Sequence, residues 1–182
     1  MDPRIARTRG SLQAALLELA RERGLDEISV ADIAERAGVN RSSFYQHYSD
    51  KDTLLADAID AVVEQAGAAI PMPDEITAEP PAILTDYLRH VDENAAVYSR
   101  IFGDHGSPVV LARLRSRIQT IVIDAVAASH GESFGDIPPD VLAAGLSGSV
   151  LGVLEAWLTR NPRPSAETAV GWLWQVLLGP QR

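Results

Sequence analysis

The sequence contains no cysteine, and only 5% of its residues are aromatic. The absence of cysteine excludes disulfides, thiolate catalysis and cysteine-bound metals. No uninterrupted apolar run reaches the roughly 18 residues that a membrane span requires. The N-terminal residues MDPRIARTRG also lack the apolar core of a secretory signal. These absences predict a cytoplasmic protein that neither spans a membrane nor is exported.

Basic residues are scarce as well, since 16 Lys and Arg face 25 Asp and Glu, a net charge of −9. Nucleic-acid-binding domains are usually basic, so this balance argues against that function for the chain as a whole. The charge is unevenly distributed, however. Residues 1–51 hold seven Arg and one Lys against eight acids, so they sum to zero and the remaining residues carry the −9. A neutral segment can still present a cationic face, for which the candidates are Arg4, Arg7, Arg9, Arg41 and Lys51.

Apolar residues recur with helical spacing along most of the chain, and no stretch alternates with the period of a strand. We therefore predict an all-α fold of about nine helices, with a single helix over 82–102. The segment PMPDEITAEPP at 71–81 holds four prolines and reads as a linker. The predicted organisation is a three-helix head at 1–50, a connecting helix at 51–70 and a larger helical body at 71–182.

Residues 28–55 carry the pattern of a helix-turn-helix. Ser29 is a favourable N-cap, and Asp32 stands at the capping-box distance from it. Gly38 follows the first helix, where a left-handed residue allows a sharp turn. Asn40 offers the N-cap of a second helix.

The second helix of this motif has two different faces. Phe44 and Tyr48, four residues apart, are predicted to face inward, whereas Ser42, Tyr45 and Gln46 face outward beside Arg41 in the first turn. Hydroxyls, amides and guanidinium groups form the hydrogen bonds that a helix in a DNA groove needs. Lys51 opens the next helix, where an exposed cation is unfavourable unless an anion lies nearby; Asp50 and Asp52 are the alternative explanation. Turns of this kind also occur in proteins that never bind DNA, so an all-α small-molecule-binding or interaction protein is the alternative reading.

The stretch AGVNRSSFYQHYSDKDTLL resembles the TetR family of transcriptional regulators. The matching positions are Ser29, Ala37, Gly38, Val39, Phe44, Tyr45, His47, Lys51, Leu54 and Leu55, while Tyr48 stands where the family usually has Phe. The resemblance implies a homodimer that binds a palindromic DNA operator and responds to a small-molecule effector, most simply as a repressor. It also implies base and phosphate contacts from Arg41, Ser42, Ser43, Tyr45 and His47, and phosphate contacts from Ser29 and Lys51. The outward face adds Gln46 to these candidates.

The last two predicted helices are candidates for the dimer surface. Gly145, Gly148 and Gly152 are costly in a helix interior unless another helix approaches closely. In the family that the chain resembles, these helices form the dimer interface, a region that here contains Gly145, Leu146, Gly148, Gly152, Val153, Trp157 and Leu173. The alternative is packing within one subunit. Similar glycine spacing marks membrane helices, but the apolar stretch 141–154 is too short to span a bilayer and Glu155 follows it.

The resemblance implies an effector site in the body, and residues that could line it are Tyr87, Tyr98, Phe102, Arg113 and Trp157. Ordinary core packing is an equally good explanation for each of them. Asp86, His90 and Asn94 stand four residues apart, but they lie off the apolar stripe and are predicted to form a solvated face. The sequence carries no zinc spacing, phosphate loop or nucleophile motif. We therefore predict no metal, no cofactor and no enzymatic activity, and a small helical enzyme is the more distant alternative.

Overall fold

The computed structural model describes residues 3–68, 79–103, 106–128 and 137–178. These residues form nine α-helices and one short 3₁₀ helix, and they contain no strand. The helices are α1 (Pro3–Glu22), the 3₁₀ helix (Leu25–Glu27), α2 (Val30–Arg36), α3 (Arg41–His47), α4 (Lys51–Ala68), α5 (Ala82–Glu93), α6 (Ala95–Phe102), α7 (Pro108–Ala128), α8 (Pro139–Leu158) and α9 (Ala166–Leu178). The predicted all-α class is confirmed.

The chain divides into two compact units. The first contains Met1–Ala61 and Glu93–Ala112, and the second contains Val62–Asp92 and Arg113–Arg182. The sequence predicts one domain over 71–182, whereas the structure groups 93–112 with the N-terminal helices. Helix α4 contributes its beginning to the first unit and its end to the second. Most of the predicted linker lies outside the described residues.

The first unit is built around apolar stripes with helical spacing. Leu12 and Leu16 of α1 are fully buried, and so are Ile33 of α2, Phe44 of α3 and Leu54 of α4. Each helix thus contributes a buried residue to this core, and α2 packs against both α1 and α3. Burying such a side chain stabilises the fold by about 1.5 to 3 kcal/mol relative to exposure. Helices α2 and α3, the two helices of the predicted helix-turn-helix, are therefore each anchored in this core on one side.

The single helix predicted over 82–102 is in fact two helices, α5 and α6. The break is at Asn94, whose backbone (φ −112°, ψ 28°) is not helical. Its side chain is 1% exposed, and its Oδ1 accepts a 2.9 Å hydrogen bond from Nε of Arg21 in α1. The prediction that Asn94 belongs to a solvated face is therefore wrong. The apolar periodicity conceals the break, because Val91 and Tyr98 are both buried on either side of it.

In the second unit, α8 and α9 pack against each other. Leu154 and Trp157 of α8 and Leu173 of α9 are at most 1% exposed. The indole Nε1 of Trp157 donates a 2.8 Å hydrogen bond to the carbonyl oxygen of Pro164 in the connection between the helices. The core of this unit is therefore mainly apolar, and the polar atom of its fully buried Trp157 is hydrogen-bonded.

Candidate nucleic-acid interface

The first helix of the motif, α2, begins with the predicted capping box. Oγ of Ser29 accepts a 3.2 Å hydrogen bond from the backbone N–H of Asp32, and the Asp32 carboxylate accepts one of 2.8 Å from the N–H of Ser29. The Ser29 hydrogen bonds, together with the Arg23 guanidinium 3.1 Å away, lower the pKa of Asp32 to about 2. Asp32 is thus ionised at neutral pH, and the start of α2 is fixed by its own side chains.

The turn between α2 and α3 is a Schellman motif centred on Gly38. Gly38 has a φ of +67°, in the left-handed region that favours glycine. The N–H of Gly38 donates to the carbonyl of Glu35 at 3.1 Å, and that of Val39 donates to the carbonyl of Ala34 at 3.0 Å. This pair of bonds closes the C-terminus of α2 and sets the direction in which α3 leaves the turn.

The N-terminus of α3 is organised by the side chain of Asn40. Its Oδ1 accepts three hydrogen bonds: from the backbone N–H of Ser43 at 2.8 Å, from the hydroxyl of Ser42 at 2.6 Å and from the hydroxyl of Ser43 at 2.9 Å. Both serine hydroxyls therefore already donate within the chain, and each retains lone pairs that accept. A contact with a DNA phosphate, which has no donor, would require the hydroxyl to rotate.

The two predicted faces of α3 are confirmed. Phe44 is fully buried and Tyr48, the C-cap residue, is 4% exposed. The opposite side presents four exposed polar residues, namely Arg41, Ser42, Tyr45 and Gln46. Ser43 and His47 are half-buried at the edges of this face, and Ser29 is exposed at the start of α2.

Arg41 and Tyr45 form a pair on the exposed face. The guanidinium carbon lies 5.7 Å from the centre of the Tyr45 ring, and Nη2 is 3.4 Å from the phenol oxygen. The Tyr45 ring, which is 50% exposed, meets Phe44 edge to face with ring centres 5.4 Å apart. Packing on Phe44 restricts Tyr45, and Tyr45 in turn restricts Arg41. The two largest side chains of this face are thus partly ordered before any ligand arrives.

Lys51 differs from its predicted role as an exposed cation. It is half-buried, and its Nζ donates to the carbonyl oxygens of Leu25 and Ile28, the second at 3.0 Å. A cation at the start of α4 is unfavourable because the helix dipole is positive there. The Asp50 carboxylate offsets this effect, and its Oδ1 caps the helix by accepting a 2.7 Å hydrogen bond from the N–H of Thr53. An ammonium group has three donors, so one remains for a phosphate. The phosphate contact of Lys51 stays a prediction.

Arg9 also departs from the predicted cationic face. Its guanidinium binds the carboxylate of Asp57 in α4, with Nη2 2.5 Å from Oδ1 and Nε 3.3 Å from Oδ2. The same Nε lies 3.3 Å from the hydroxyl of Tyr48. Arg9 is therefore engaged by a carboxylate within the first unit, whereas Arg4, Arg7 and Arg41 are exposed.

Asp57 is the centre of a buried polar cluster that we did not predict. The carboxylate is 8% exposed, and it also accepts hydrogen bonds of 2.5 Å from the Tyr48 hydroxyl and 2.7 Å from Nε2 of Gln13. Burial opposes its ionisation, but the hydrogen bonds from Arg9, Tyr48 and Gln13 prevail and hold the pKa of Asp57 below its usual value. Burial and the Asp57 hydrogen bond raise the pKa of Tyr48 to about 12. The signal in the sequence was Tyr48, a polar residue where the resembled family has Phe.

The five residues predicted for an effector site fall in both units. Tyr98 and Phe102 belong to the first, and Tyr87, Arg113 and Trp157 to the second. The three larger aromatics are buried, Phe102 is half-buried and Arg113 is exposed. A cavity of about 400 Å³ in the first unit is lined by other residues, among them Asp26, Lys51 and Arg100. The effector site therefore stays a prediction.

The predicted dimer region contains both exposed and buried residues. Gly145, Gly148 and Gly152 are exposed, and a Cβ added at any of them would meet no other atom within 4 Å. No helix of the same subunit approaches these glycines among the described residues. Trp157 and Leu173, by contrast, lie in the subunit core, so their side chains do not belong to an outer surface. Leu146 and Val153 are half-buried.

Helix α8 is longer than the apolar stretch that we predicted. By length and composition its 20 residues are sufficient to cross a membrane, with a mean hydropathy of 1.7 over 18 residues, of which 33% are buried. The core helix of a soluble protein meets the same criterion. The described residues also contain no group of three or more side chains able to hold a metal ion.

Comparison with known proteins matches both parts of the chain. A model of bacterial regulatory proteins of the tetR family matches residues 12–58, and a model of a transcriptional regulator C-terminal region matches residues 78–172. The HTH-type transcriptional regulator EthR of Mycobacterium tuberculosis is 34% identical over 95 residues, which are 52% of this chain and 42% of EthR. The uncharacterized HTH-type regulator YxbF of Bacillus subtilis is 38% identical over 60 residues, 32% of this chain and 16% of YxbF. The chain thus covers less than half of either relative, and both are regulators rather than enzymes.

Solved structures are similar over nearly the whole chain. A TetR transcriptional regulator from Streptococcus agalactiae superimposes with a TM-score of 0.59 at 25% identity, covering 97% of this chain and 96% of its own. The repressor FadR of Thermus thermophilus, solved with lauroyl-CoA, gives a TM-score of 0.64 at 18% identity and covers 93% of both chains. At 18% identity, the similarity to FadR shows a shared fold only.

Proposed function

The chain belongs to the tetR family of bacterial regulatory proteins, and from that premise we propose that it is a DNA-binding repressor, controlled by a small-molecule effector, that binds a palindromic operator as a homodimer. The observation that carries this proposal is the exposed face of α3. Arg41, Ser42, Tyr45 and Gln46 share that face, while Phe44 and Tyr48 fix the opposite side in the core. Such a helix can enter a major groove and read base edges, so we call α3 the recognition helix.

We assign base contacts and phosphate contacts to individual residues from their exposure and charge. Arg41 and Gln46 are the best placed for bidentate contacts with bases, because they are exposed and carry paired hydrogen-bonding groups. Ser29, Ser42, Ser43 and Tyr45 would contact phosphates, with Lys51 supplying its remaining donor and His47 a contact at the edge. Since residues 1–51 have no net charge, we expect weak non-specific binding and a modest salt dependence.

The proposed dimer explains the outer face of α8. This face is exposed although it consists of small or apolar residues, among them Val141, Ala144, Gly145, Gly148 and Gly152. A second copy of the helix can approach such a face closely, and a twofold axis would repeat the contact. The two recognition helices would then lie about one DNA turn apart, roughly 34 to 36 Å, on a palindrome. This surface also accounts for the hydropathy of α8 without a membrane, in keeping with a cytoplasmic protein.

The effector is proposed to act through α4, because that helix contributes residues to both compact units. An effector can shift DNA affinity only as far as it prefers one conformation over the other, typically about 1 to 3 kcal/mol of coupling. Tyr87, Tyr98, Phe102, Arg113 and Trp157 remain the candidate lining residues.

The test is selection of bound sequences from a random duplex pool with purified protein, beside the double variant Arg41→Ala, Tyr45→Ala. The proposal expects a palindromic consensus that the variant loses. Because neither side chain is buried, the variant should stay folded, with an unfolding temperature only slightly below that of the wild type, and this separates lost recognition from lost folding. If the wild-type protein enriches no sequence at low salt, the helix-turn-helix has only a structural role.

A further inference from the structure

Tyr48 ends the recognition helix and is directly hydrogen-bonded to the helix that follows. Its backbone N–H closes the last turn of α3 on the carbonyl of Phe44 at 2.9 Å, and its hydroxyl donates to Oδ2 of Asp57 at 2.5 Å. Asp57 lies in the second turn of α4. One side chain therefore joins the C-terminus of the recognition helix to α4 through a short, charge-assisted hydrogen bond.

The Asp57 carboxylate is in turn held by α1. Arg9 binds both of its oxygens, Gln13 donates to one of them at 2.7 Å, and the Arg9 guanidinium carbon lies 5.8 Å from the centre of the Tyr48 ring. With four donor contacts, the carboxylate has little freedom to move or rotate. Its position, and hence that of the Tyr48 hydroxyl, is set by α1 and α4 together.

We propose that Tyr48, through Asp57 and Arg9, is a positioning residue for DNA recognition, which fixes the angle and depth at which α3 presents Arg41 and Gln46 to the groove. This inference rests on the proposed function. A phenylalanine would fill the same buried space, but it would make no directional bond to α4. Because the hydrogen bond has a preferred length and angle, the tyrosine specifies an orientation that apolar packing alone does not.

Specific and non-specific binding should respond differently to this residue. Base-edge hydrogen bonds lose most of their energy when a helix tilts slightly, whereas attraction between cations and phosphates falls off slowly with distance. Loss of the Tyr48 hydroxyl should thus lower affinity for the selected duplex and leave affinity for an unrelated duplex nearly unchanged. A residue that only stabilises the head would leave the ratio of the two affinities of the folded protein unaltered.

The test compares Tyr48→Phe with the wild type on the selected duplex and on a scrambled duplex of the same length, at a temperature where both proteins are folded. We expect the ratio of specific to non-specific affinity to fall roughly 10-fold, comparable to the loss of about one base contact. Tyr48→Phe should fold, because Asp57 keeps its bonds from Arg9 and Gln13. The matched control is Ile59→Val, a conservative change at a buried position of α4 that should lower stability without changing the ratio.

A second variant tests whether the tyrosine acts through the carboxylate. Asp57→Asn should lower the same ratio, and adding Tyr48→Phe to it should have little further effect, because the two residues form one unit. If the wild type selects no duplex, the proposed function is wrong and this inference falls with it. If the wild type selects a duplex and Tyr48→Phe discriminates equally well, or if Ile59→Val lowers the ratio as much, this inference alone is wrong.

Discussion

Gly67 of α4 lies directly against the side chain of Ile121 in α7. A Cβ added at Gly67 would come within 3 Å of three carbon atoms of that isoleucine. Nearby, Nη2 of Arg117 in α7 forms a 2.6 Å ion pair with Glu64 of α4. The end of α4 that belongs to the second unit is therefore fixed to α7 by a close apolar approach and by an ion pair.

This approach predicts that Gly67→Ala destabilises the protein, although alanine is the better helix former. Overpacking typically costs about 1 to 3 kcal/mol, and the gain in helix propensity recovers about 1 kcal/mol at most. We expect a net loss of roughly 1 kcal/mol in urea unfolding. Gly67→Ala combined with Ile121→Val should recover part of it. An unchanged or raised midpoint for the single variant would show that Ile121 moves aside freely.

Replacing glycine by alanine should have opposite effects on stability at Gly38, in the turn between α2 and α3, and at Gly10, in α1. Neither Gly38 nor Gly10 has an atom within 4 Å of an added Cβ, so their difference is one of backbone conformation. Gly38→Ala should lower stability by about 1 to 2 kcal/mol, because its φ of +67° is strained for alanine. Gly10→Ala in α1 should raise stability by about 0.5 to 1 kcal/mol. Equal effects of the two changes in thermal unfolding would contradict this account of the turn.

The capping box at the start of α2 predicts that Ser29→Ala loses about 1 kcal/mol of stability. Ser29→Thr keeps an oxygen that can accept the bond from Asp32 and should stay near the wild type. Chemical denaturation of the three proteins measures this order. Should Ser29→Ala prove as stable as Ser29→Thr, the hydrogen bonds of Ser29 would add nothing to the helix beyond what water provides.

The pKa of Asp32, about 2 in the folded protein against an ordinary 3.8, predicts a dependence of stability on acid. Because the folded pKa is lowered, this carboxylate stabilises the fold fully above pH 4, and its contribution fades as the pH falls toward 2. Asp32→Asn removes that titration. The variant should therefore show a shallower loss of stability between pH 4 and 2 than the wild type. Parallel curves over this window, measured by unfolding at fixed salt, would rule out the assignment.

The outer face of α8 predicts that Gly148→Leu separates the proposed dimer. No neighbouring helix among the described residues lies within 4 Å of a Cβ added at Gly148, so the variant should fold. The leucine side chain would, however, block close approach by a second copy. In light scattering during gel filtration, the wild type should have twice the 19.6 kDa mass of one chain and the variant should be a monomer. Gly10→Leu, an equal change on an exposed part of α1, should leave the dimer intact. A dimeric Gly148→Leu would place the interface elsewhere.

The local structure of the helix-turn-helix was determined by sequence alone. Ser29, Gly38 and Asn40 act on backbone groups within four residues of themselves, so their chemistry fixes the caps and the turn wherever the motif is placed. The outward position of Arg41, Tyr45 and Gln46 follows from helical angle once Phe44 is assigned to the core. Residues 29–46 could therefore be interpreted without any knowledge of the rest of the fold.

Tertiary structure decided everything that depends on distant partners. Asn94 ends α5 because Arg21, 73 residues earlier, binds its side chain, and no local pattern reveals that partner. Arg9 and Lys51 both look like exposed cations in the sequence, but Arg9 binds Asp57, and Lys51 donates two of its three hydrogen bonds to the carbonyls of Leu25 and Ile28. Whether a charged residue is available at a surface depends on the acceptors that folding brings within its reach, and this is a property of the packed chain rather than of its order of residues.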